Sequence, residues 1–481
     1  MGNHSENTYD AIIIGAGMSG LVCGCYLAKA GLKVLIAEQH SKPGGYCTSF
    51  KRKGFTFDAA AHSFGGYRKD GIVRKVFDDL GVAKRVRIKR YDPSDIIITP
   101  DYEVSFWSDL NKTIEEFQKV FPEESININE FFCSLISPTF KSFARMRSWT
   151  FKDLLDRYFN NDKLKAILSF PLLGNGGLPP SAMSAFIGAS ILKEFLLDGG
   201  YYPEGGMQAL PLALAERFKD LGGEIRLSCL VKKIKVNDGK AIGAVLARGG
   251  FIGSGCIVSG CDSRQTFFKL LGSRLVDQEL LNAIKDMTPS LSMFIVYLGL
   301  NKSLDKMIKP GTNVWLLSNY RLDNSYLFEK KVNLDNVCTM VRAIPDQNII
   351  LAFMNAPFKN KNYWHKNKAY FTSSFIEKIE KYILPNLSKY ITYKETATPH
   401  TLYRYTLNYK GAAYGWASTP SQLAIYELRK PKAIQGLFLT GHWTTEGIGI
   451  PGVVHLGYDT AKQVLRKQQQ RQIKTSKFVI N

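Results

Sequence analysis

The chain has 481 residues, 45% hydrophobic and 22% charged, a balance that excludes a disordered or collagen-like protein and leaves room for two or three domains. Lysine and arginine outnumber acids 63 to 42, for a net charge of +21, which bears on partners more than on fold. No finger spacing, basic helix or interleaved basic and aromatic repeat accompanies that charge, so nucleic acid is not an expected partner.

Two readings of the charge stay open: a diffusely basic cytoplasmic protein, or a basic surface that docks on anionic lipid as a peripheral membrane protein. No apolar run is long enough to span a bilayer and the first ten residues are polar, so neither a transmembrane helix nor a signal peptide is expected. The start Met1-Gly2-Asn3-His4-Ser5-Glu6 has Glu6 where a myristoylation site has Ser or Thr. The eight cysteines form no CxxC pair and no metal spacing, which suits reduced thiols, and no metal site is expected.

In chain order, Tyr9-Asp10-Ala11-Ile12-Ile13-Ile14 reads as a strand buried on both faces, and Gly15 stops it. A helix follows from Met18 to about Ala30, with Leu21, Val22, Gly24, Cys25, Leu27 and Ala28 at helical spacing. Gly31 ends it, and Lys33 to Glu38 makes the next strand. The joint, Gly15-Ala16-Gly17-Met18-Ser19-Gly20, is the GxGxxG of a dinucleotide-binding βαβ unit. Gly15 permits the tight turn, Gly17 lets backbone approach a pyrophosphate, and Gly20 lets helix and strand pack closely. The helix N-terminus, at Met18 and Ser19, turns N–H groups toward the phosphates. Glu38 stands at the end of the second strand, where a carboxylate accepts ribose hydroxyls and disfavours a 2′-phosphate.

From Asp70 to about Leu197 the pattern is helical, aromatic and basic, with a break at Gly174-Asn175-Gly176-Gly177-Leu178-Pro179-Pro180; it reads as an insertion. Tyr202-Pro203-Glu204-Gly205-Gly206-Met207 restores nucleotide-domain character. Behind it come a helix to Leu221 and strands at 224–227, 232–236 and 242–247. Residues 290–419 read mainly as strands, such as 292–298 and 349–354. Leu437 to Gly441 is a buried strand, Gly452 to Leu465 a helix, and the basic tail after Lys467 has no packing pattern.

Further segments narrow the cofactor. Lys42-Pro43-Gly44-Gly45-Tyr46-Cys47 is followed by Gly54-Phe55-Thr56-Phe57-Asp58, and Leu439-Thr440-Gly441-His442-Trp443-Thr444-Thr445-Glu446-Gly447-Ile448-Gly449-Ile450-Pro451-Gly452-Val453 closes the pattern. With Tyr202-Pro203-Glu204-Gly205-Gly206 these resemble the FAD-dependent superfamily of phytoene desaturases, carotenoid cis-trans isomerases and retinol saturases. Ala397-Thr398-Pro399-His400-Thr401 and Gly411-Ala412-Ala413-Tyr414-Gly415 look like its isomerase and saturase branch.

The resemblance implies an α/β fold: a split Rossmann-type FAD-binding domain from residues 9–69, 198–265 and 435–467, a helical insertion 70–197 that is a candidate membrane-facing segment, and a mixed-sheet substrate domain 266–434. A flexible tail, 468–481, completes that division. The cofactor it implies is FAD, held by Gly15, Gly17, Met18, Ser19, Gly20, Glu38, Gly44, Gly45, Val231, Gly441, Gly452 and Val453. Val231 resembles the valine whose backbone meets the adenine; Gly452 and Val453 open a helix whose N-terminus favours negative charge on the reduced ring.

No hydrolytic triad, HExxH, Walker lysine or EF-hand loop occurs, so the flavin carries the chemistry. Three side chains are candidates for proton transfer, each with a packing role as the alternative: Glu446, His442 and His62, the last where the superfamily has small residues. Arg404, Tyr405 and Tyr409 either line a substrate tunnel or stabilise a sheet. The implied substrate is a polyene or isoprenoid lipid, carotenoid- or retinoid-like. Three activities stay open: saturation or desaturation by hydride transfer, redox-neutral cis-trans isomerisation, and lipid binding without turnover. The stretch Phe131–Phe151, aromatic and basic, is either an interfacial membrane contact or a helix packed on its own core.

Overall fold

The computed structural model describes residues 8–136, 146–325, 334, 337–423, 434–444 and 447–479, with side chains up to 470. Two large sheets organise it. The first has five parallel strands in the order Leu437–Leu439, Ile257–Ser259, Ala11–Ile14, Val34–Ala37, Glu224–Arg226. Both faces of its central strands are covered, which is why they read as unbroken apolar runs. Ala11, Ile13, Val34 and Ile36 pack with Leu21, Val22, Leu214 and Phe218 on the helices Met18–Lys29 and Ala209–Asp220. Ile12, Ile14, Leu35 and Ala37 pack instead on a three-stranded antiparallel sheet of Val231–Asn237, Lys240–Leu246 and Phe251–Gly253. This is the Rossmann-type α/β arrangement expected from the βαβ unit.

The last helix, Gly449–Val479, lies across the first. They touch at Gly457, where a Cβ would stand 2.5 Å from the Ser19 carbonyl oxygen, so only glycine allows the crossing. The helix runs on through residues 468–479, which sequence pattern alone marks as a flexible tail; a helix already anchored by buried Val454, Ala461 and Val464 needs no further apolar pattern to continue.

The second sheet has seven strands in the order Ile391–Ala397, Ser292–Leu300, Ile349–Ala356, Thr339–Ala343, Asn313–Leu316, Asp95–Ile98, Glu103–Phe106. All neighbours are antiparallel except Asn313–Leu316 beside Asp95–Ile98. Two of its strands come from within 70–197, a stretch read as helical because helices such as Leu110–Val120 and Asp162–Gly176 dominate its pattern. One face of this sheet is largely apolar: Phe294, Val296, Leu298, Val341, Ala352 and Met354 meet Trp364, Phe371, Phe375 and Ile379 of the helix Lys361–Tyr382.

The other face carries two cross-strand rows of different chemistry. The register aligns Ile97, Trp315, Met340, Phe353, Ile295 and Ala397 in one, and Asp95, Asn313, Arg342, Leu351, Tyr297 and Glu395 in the next.

Within the stretch 131–151, Phe131, Phe132, Leu135, Met146 and Phe151 are all buried, and the Phe131 ring sits 5.1 Å from that of Phe159. Those side chains face the core; Phe140, Lys141, Phe143 and Arg145 lie outside the described residues. Among the described residues no helix is long and apolar enough to cross a membrane. None of the eight cysteines is in a disulfide.

Candidate active site

The turn after the first strand is built from backbone. Gly15 has φ +100° and its N–H donates to the Ala37 carbonyl at 2.8 Å, which reverses the chain into the first helix. At Gly20 a Cβ would lie 2.2 Å from the Gly15 carbonyl oxygen, whereas one at Gly17 would meet nothing within 4 Å. Gly20 therefore serves packing, and the Gly17 side of the turn is open space. The helix beginning at Met18 has no side-chain cap and no acidic residue in its first turn, so its positive end faces that space uncompensated.

Glu38 is buried, and its oxygens accept the Ala16 N–H at 2.7 Å and the His40 N–H at 2.8 Å. Burial raises its pKa, while the N–H groups of His40 and Ala16 pull it back down. Each oxygen keeps a lone pair for a hydroxyl. Gly44 joins the turn by donating to the Ala16 carbonyl at 2.8 Å, and Gly44 and Gly45 take φ +132° and +58°, which other residues rarely adopt. From a third part of the chain Val231 opens its strand, where the Cys229 N–H reaches the Glu38 carbonyl at 2.7 Å. From the fourth, the Thr440 hydroxyl meets that of Ser19, and Gly441 turns the chain at φ +88°.

These segments enclose one cavity of about 740 Å³. Gly15, Gly17, Met18, Ser19, Gly20, Glu38, Gly44, Gly45, Val231, Gly441 and Val453 all line it, as do His62 and His442. Gly452 sits in the same helical turn as Val453 but is not in the wall. Glu446 lies outside the described residues. Arg404 and Tyr405 reach the wall, whereas Tyr409 packs beneath the Arg264 guanidinium, 4.2 Å from its ring. Beyond the cradle the wall becomes apolar: Phe195, Met293, Ile295, Phe353 and Ile450.

Both histidines are neutral. Burial pushes the His442 imidazole down to about 4, and burial, followed by the Arg342 charge, pushes His62 down to about 3. The tautomer of His442 follows from its neighbours. The Trp443 indole N–H can only donate, and it takes Asn408 Oδ1 at 2.8 Å. The Asn408 amide nitrogen must then donate to His442 Nε2, at 3.3 Å, and to the Tyr46 hydroxyl, at 3.2 Å. His442 thus carries its proton on Nδ1 and is held in orientation. The His62 ring lies tilted against that of Phe353, 5.3 Å between centroids, with Nδ1 at 3.1 Å from the Ser63 hydroxyl.

Behind His62 lies a buried charged group that sequence reading did not find. Arg342 is fully buried; Nη1 donates to Asn313 Oδ1 at 2.8 Å, while Nε and Nη2 have no hydrogen-bond partner among the described residues, and burial brings its pKa down to about 10. Asp95 accepts from the Trp315 indole at 2.7 Å and from Asn313 at 2.9 Å. Asp58 accepts the Tyr202 hydroxyl at 2.6 Å and the Met207 N–H at 2.9 Å, and burial lifts it to about 6. That carboxylate ties the Gly54–Asp58 segment to the Tyr202–Met207 segment. Both were visible as motifs, but their pairing was not. Asn408 and Tyr46 were likewise missed; the position of Tyr46 directly after Gly44-Gly45 was the available signal.

An open face at Gly17, an uncapped helix terminus, a buried carboxylate with spare lone pairs and an unpartnered His40 Nδ1 in the same wall fit a dinucleotide. The fold and this cradle define the class, an FAD-dependent oxidoreductase, and FAD is its cofactor. Residues 18–465 match the model of the flavin containing amine oxidoreductase family, and the chain belongs to that family.

Its relatives include the chloroplastic prolycopene isomerase of Daucus carota, 27% identical over 95% of this chain and 80% of the relative. The all-trans-retinol 13,14-reductase of Danio rerio is 25% identical over 90% and 82%, and the lycopene-forming phytoene desaturase of Pseudescherichia vulneris 24% over 95% and 99%. These bear out the superfamily that the motifs indicate. Two solved structures share the fold: an oxidoreductase from Methanosarcina mazei, with TM-score 0.68 at 17% identity over 95% of this chain and 99% of that one, and wild-type putrescine oxidase bound to putrescine, with TM-score 0.65 at 14% identity over 95% and 99%.

Proposed function

We propose that the protein acts on a carotenoid- or retinoid-like isoprenoid lipid, saturating or desaturating a carbon–carbon bond. The observation that carries this reading is the single cavity in which the dinucleotide cradle runs into a wall of Phe195, Met293, Ile295, Phe353 and Ile450. An apolar slot beside a redox cofactor suits a long hydrocarbon substrate. The relatives named for retinol reduction and phytoene desaturation support the same substrate class. When bound, FAD supplies a two-electron hydride donor or acceptor.

The chain's own residues bind, orient and exclude water. Gly15, Gly17, Met18, Ser19, Gly20, Gly44 and Gly45 would hold the pyrophosphate with backbone, Glu38 the ribose, Val231 the adenine, and Gly441, Gly452 and Val453 the ring end. His442, neutral and fixed by Asn408, would hold a proton on Nδ1 for exchange with substrate. His62 and Glu446 are further candidates for the same task. A substrate of this kind partitions into bilayers, so docking of the basic surface on anionic lipid goes with the reading.

A second reading, redox-neutral cis-trans isomerisation, draws support from the prolycopene isomerase among the relatives. Anaerobic incubation of the FAD-loaded protein with a panel of carotenoids and retinoids, first chemically reduced and then oxidised, separates the two. Substrate turnover matched by stoichiometric change in flavin absorbance supports saturation or desaturation. Turnover with no net flavin change supports isomerisation. Tight binding without turnover makes the protein a lipid carrier, and neither binding nor turnover of any polyene overturns the proposal.

A further inference from the structure

Asn175 stands in the last turn of the helix Asp162–Gly176 and in the wall of the cavity. It is only 8% exposed, and its amide makes no hydrogen bond among the described residues. An amide that uses neither its donor nor its acceptor on protein and stands in a cavity wall is completed by what enters the cavity.

The turn that carries it is held firmly. The Asn355 amide donates to the Leu173 carbonyl at 2.8 Å and the Tyr414 hydroxyl to the Gly174 carbonyl at 2.5 Å, while Gly174 lies flat against the Trp315 ring. The Gly177 N–H, in turn, reaches the Leu173 carbonyl at 2.9 Å. A side chain on a turn fixed in this way is preorganised for one partner position. Trp315 packs edge-on to Phe353 at 5.9 Å and the His62 ring lies 5.3 Å from Phe353, so Gly174, the neighbour of Asn175, and His62 meet the two members of one aromatic pair.

In the same cavity wall Phe195, Met293, Ile295 and Ile450 carry no hydrogen-bonding side-chain group, and the hydroxyl of the neighbouring Tyr414 is already spent as a donor on the Gly174 carbonyl. Its cationic lining residues, Lys42, Lys51, Arg52, Lys368 and Arg404, belong to other segments. An unpaired neutral amide in apolar surroundings matches an uncharged oxygen: Oδ1 accepts from a hydroxyl, and Nδ2 donates to a hydroxyl or carbonyl.

We infer that Asn175 is a specificity-determining residue that hydrogen-bonds a hydroxyl or carbonyl on the substrate, selecting an oxygenated polyene over a pure hydrocarbon. This rests on the polyene reading proposed above. The test compares binding of all-trans-retinol and of the matching hydrocarbon lacking the hydroxyl to the FAD-loaded protein, followed by polyene fluorescence. The wild-type protein should bind the alcohol about tenfold tighter. Asn175→Leu should erase that difference by weakening the alcohol alone, with FAD content unchanged. Equal affinities in the wild type, or an equal loss for both probes in the variant, overturns the inference. If Asn175→Leu loses FAD, Asn175→Ala is judged by the same criterion. Failure of the wild type to bind either probe while it retains FAD overturns the polyene reading itself, a result distinct from failure of the subsite.

Discussion

The two large sheets make their parts of the cavity in opposite ways. The parallel sheet is apolar on both faces and delivers its share from the ends of its strands, through backbone at Gly15, Gly17 and Gly44. The seven-stranded sheet is largely apolar on one face and delivers its share from the other, through side chains such as Ile295 and Phe353, with Asp95, Asn313 and Arg342 in the neighbouring row. A site made of backbone depends on where glycine is permitted. A site made of side chains depends on which strands lie side by side.

The sharpest way to break that contrast is at the glycines. Gly20→Val puts its side chain into the Gly15 carbonyl and should cost both fold and flavin. A Cβ at Gly17 meets no atom within 4 Å, so the Gly17→Val apoprotein should melt as the wild type does, while FAD affinity falls on the order of a hundredfold. Flavin titration and apoprotein melting curves check the pair, and an apoprotein destabilised by Gly17→Val would count against a backbone cradle.

On the side-chain sheet the largest effect belongs to Arg342. Arg342→Met leaves Asp95 and Asp58 buried without their neighbouring cation and should lower stability by about 3–5 kcal/mol in denaturant titration. Adding Asp95→Asn should return part of that loss. If it returns none, the row does not act as an electrostatic unit.

A third effect lies in pH dependence, and it is small only close to neutral pH. The unfolded chain protonates its histidines near the ordinary value of 6.5, whereas folded His62 and His442 stay neutral down to about 3 and about 4. Protons then bind the unfolded state in preference, so stability falls as pH drops below 6.5, by about 1.4 kcal/mol per pH unit for each histidine. Asp58, lifted to about 6, works in the opposite direction, since its folded carboxyl holds a proton that the unfolded one has released. Subtracting the profile of a His62→Gln/His442→Gln double variant from that of the wild type removes the Asp58 contribution. A flat difference between pH 6.5 and 4 would show that the histidines are not buried neutral.

The same contrast explains what was legible in the sequence. Gly15 to Glu38 could be read directly, because a tight turn and a close helix demand particular residues at particular spacings and a doubly buried strand is an unbroken apolar run. The strands Asp95–Ile98 and Glu103–Phe106 were hidden by the helical pattern around them. Asp95, Asn313 and Arg342 share no spacing; only the register of three strands drawn from distant parts of the chain aligns them. His442 stood in a recognisable segment, but its tautomer depends on Asn408 and Trp443, and nothing in the local sequence announces that triad.

The closure by Thr440, Gly441 and Gly457 against Ser19 has a consequence for how the molecule is made. The ribosome releases the dinucleotide turn hundreds of residues before the strand Leu437–Leu439 and the helix that complete the other end of the cavity. A nascent chain therefore exposes a half-built cradle for most of its synthesis. A product interrupted before residue 437 has the turn proposed to hold the nucleotide but lacks the opposite wall of the cavity, so stable flavin loading is expected only of a polypeptide whose translation has passed that point.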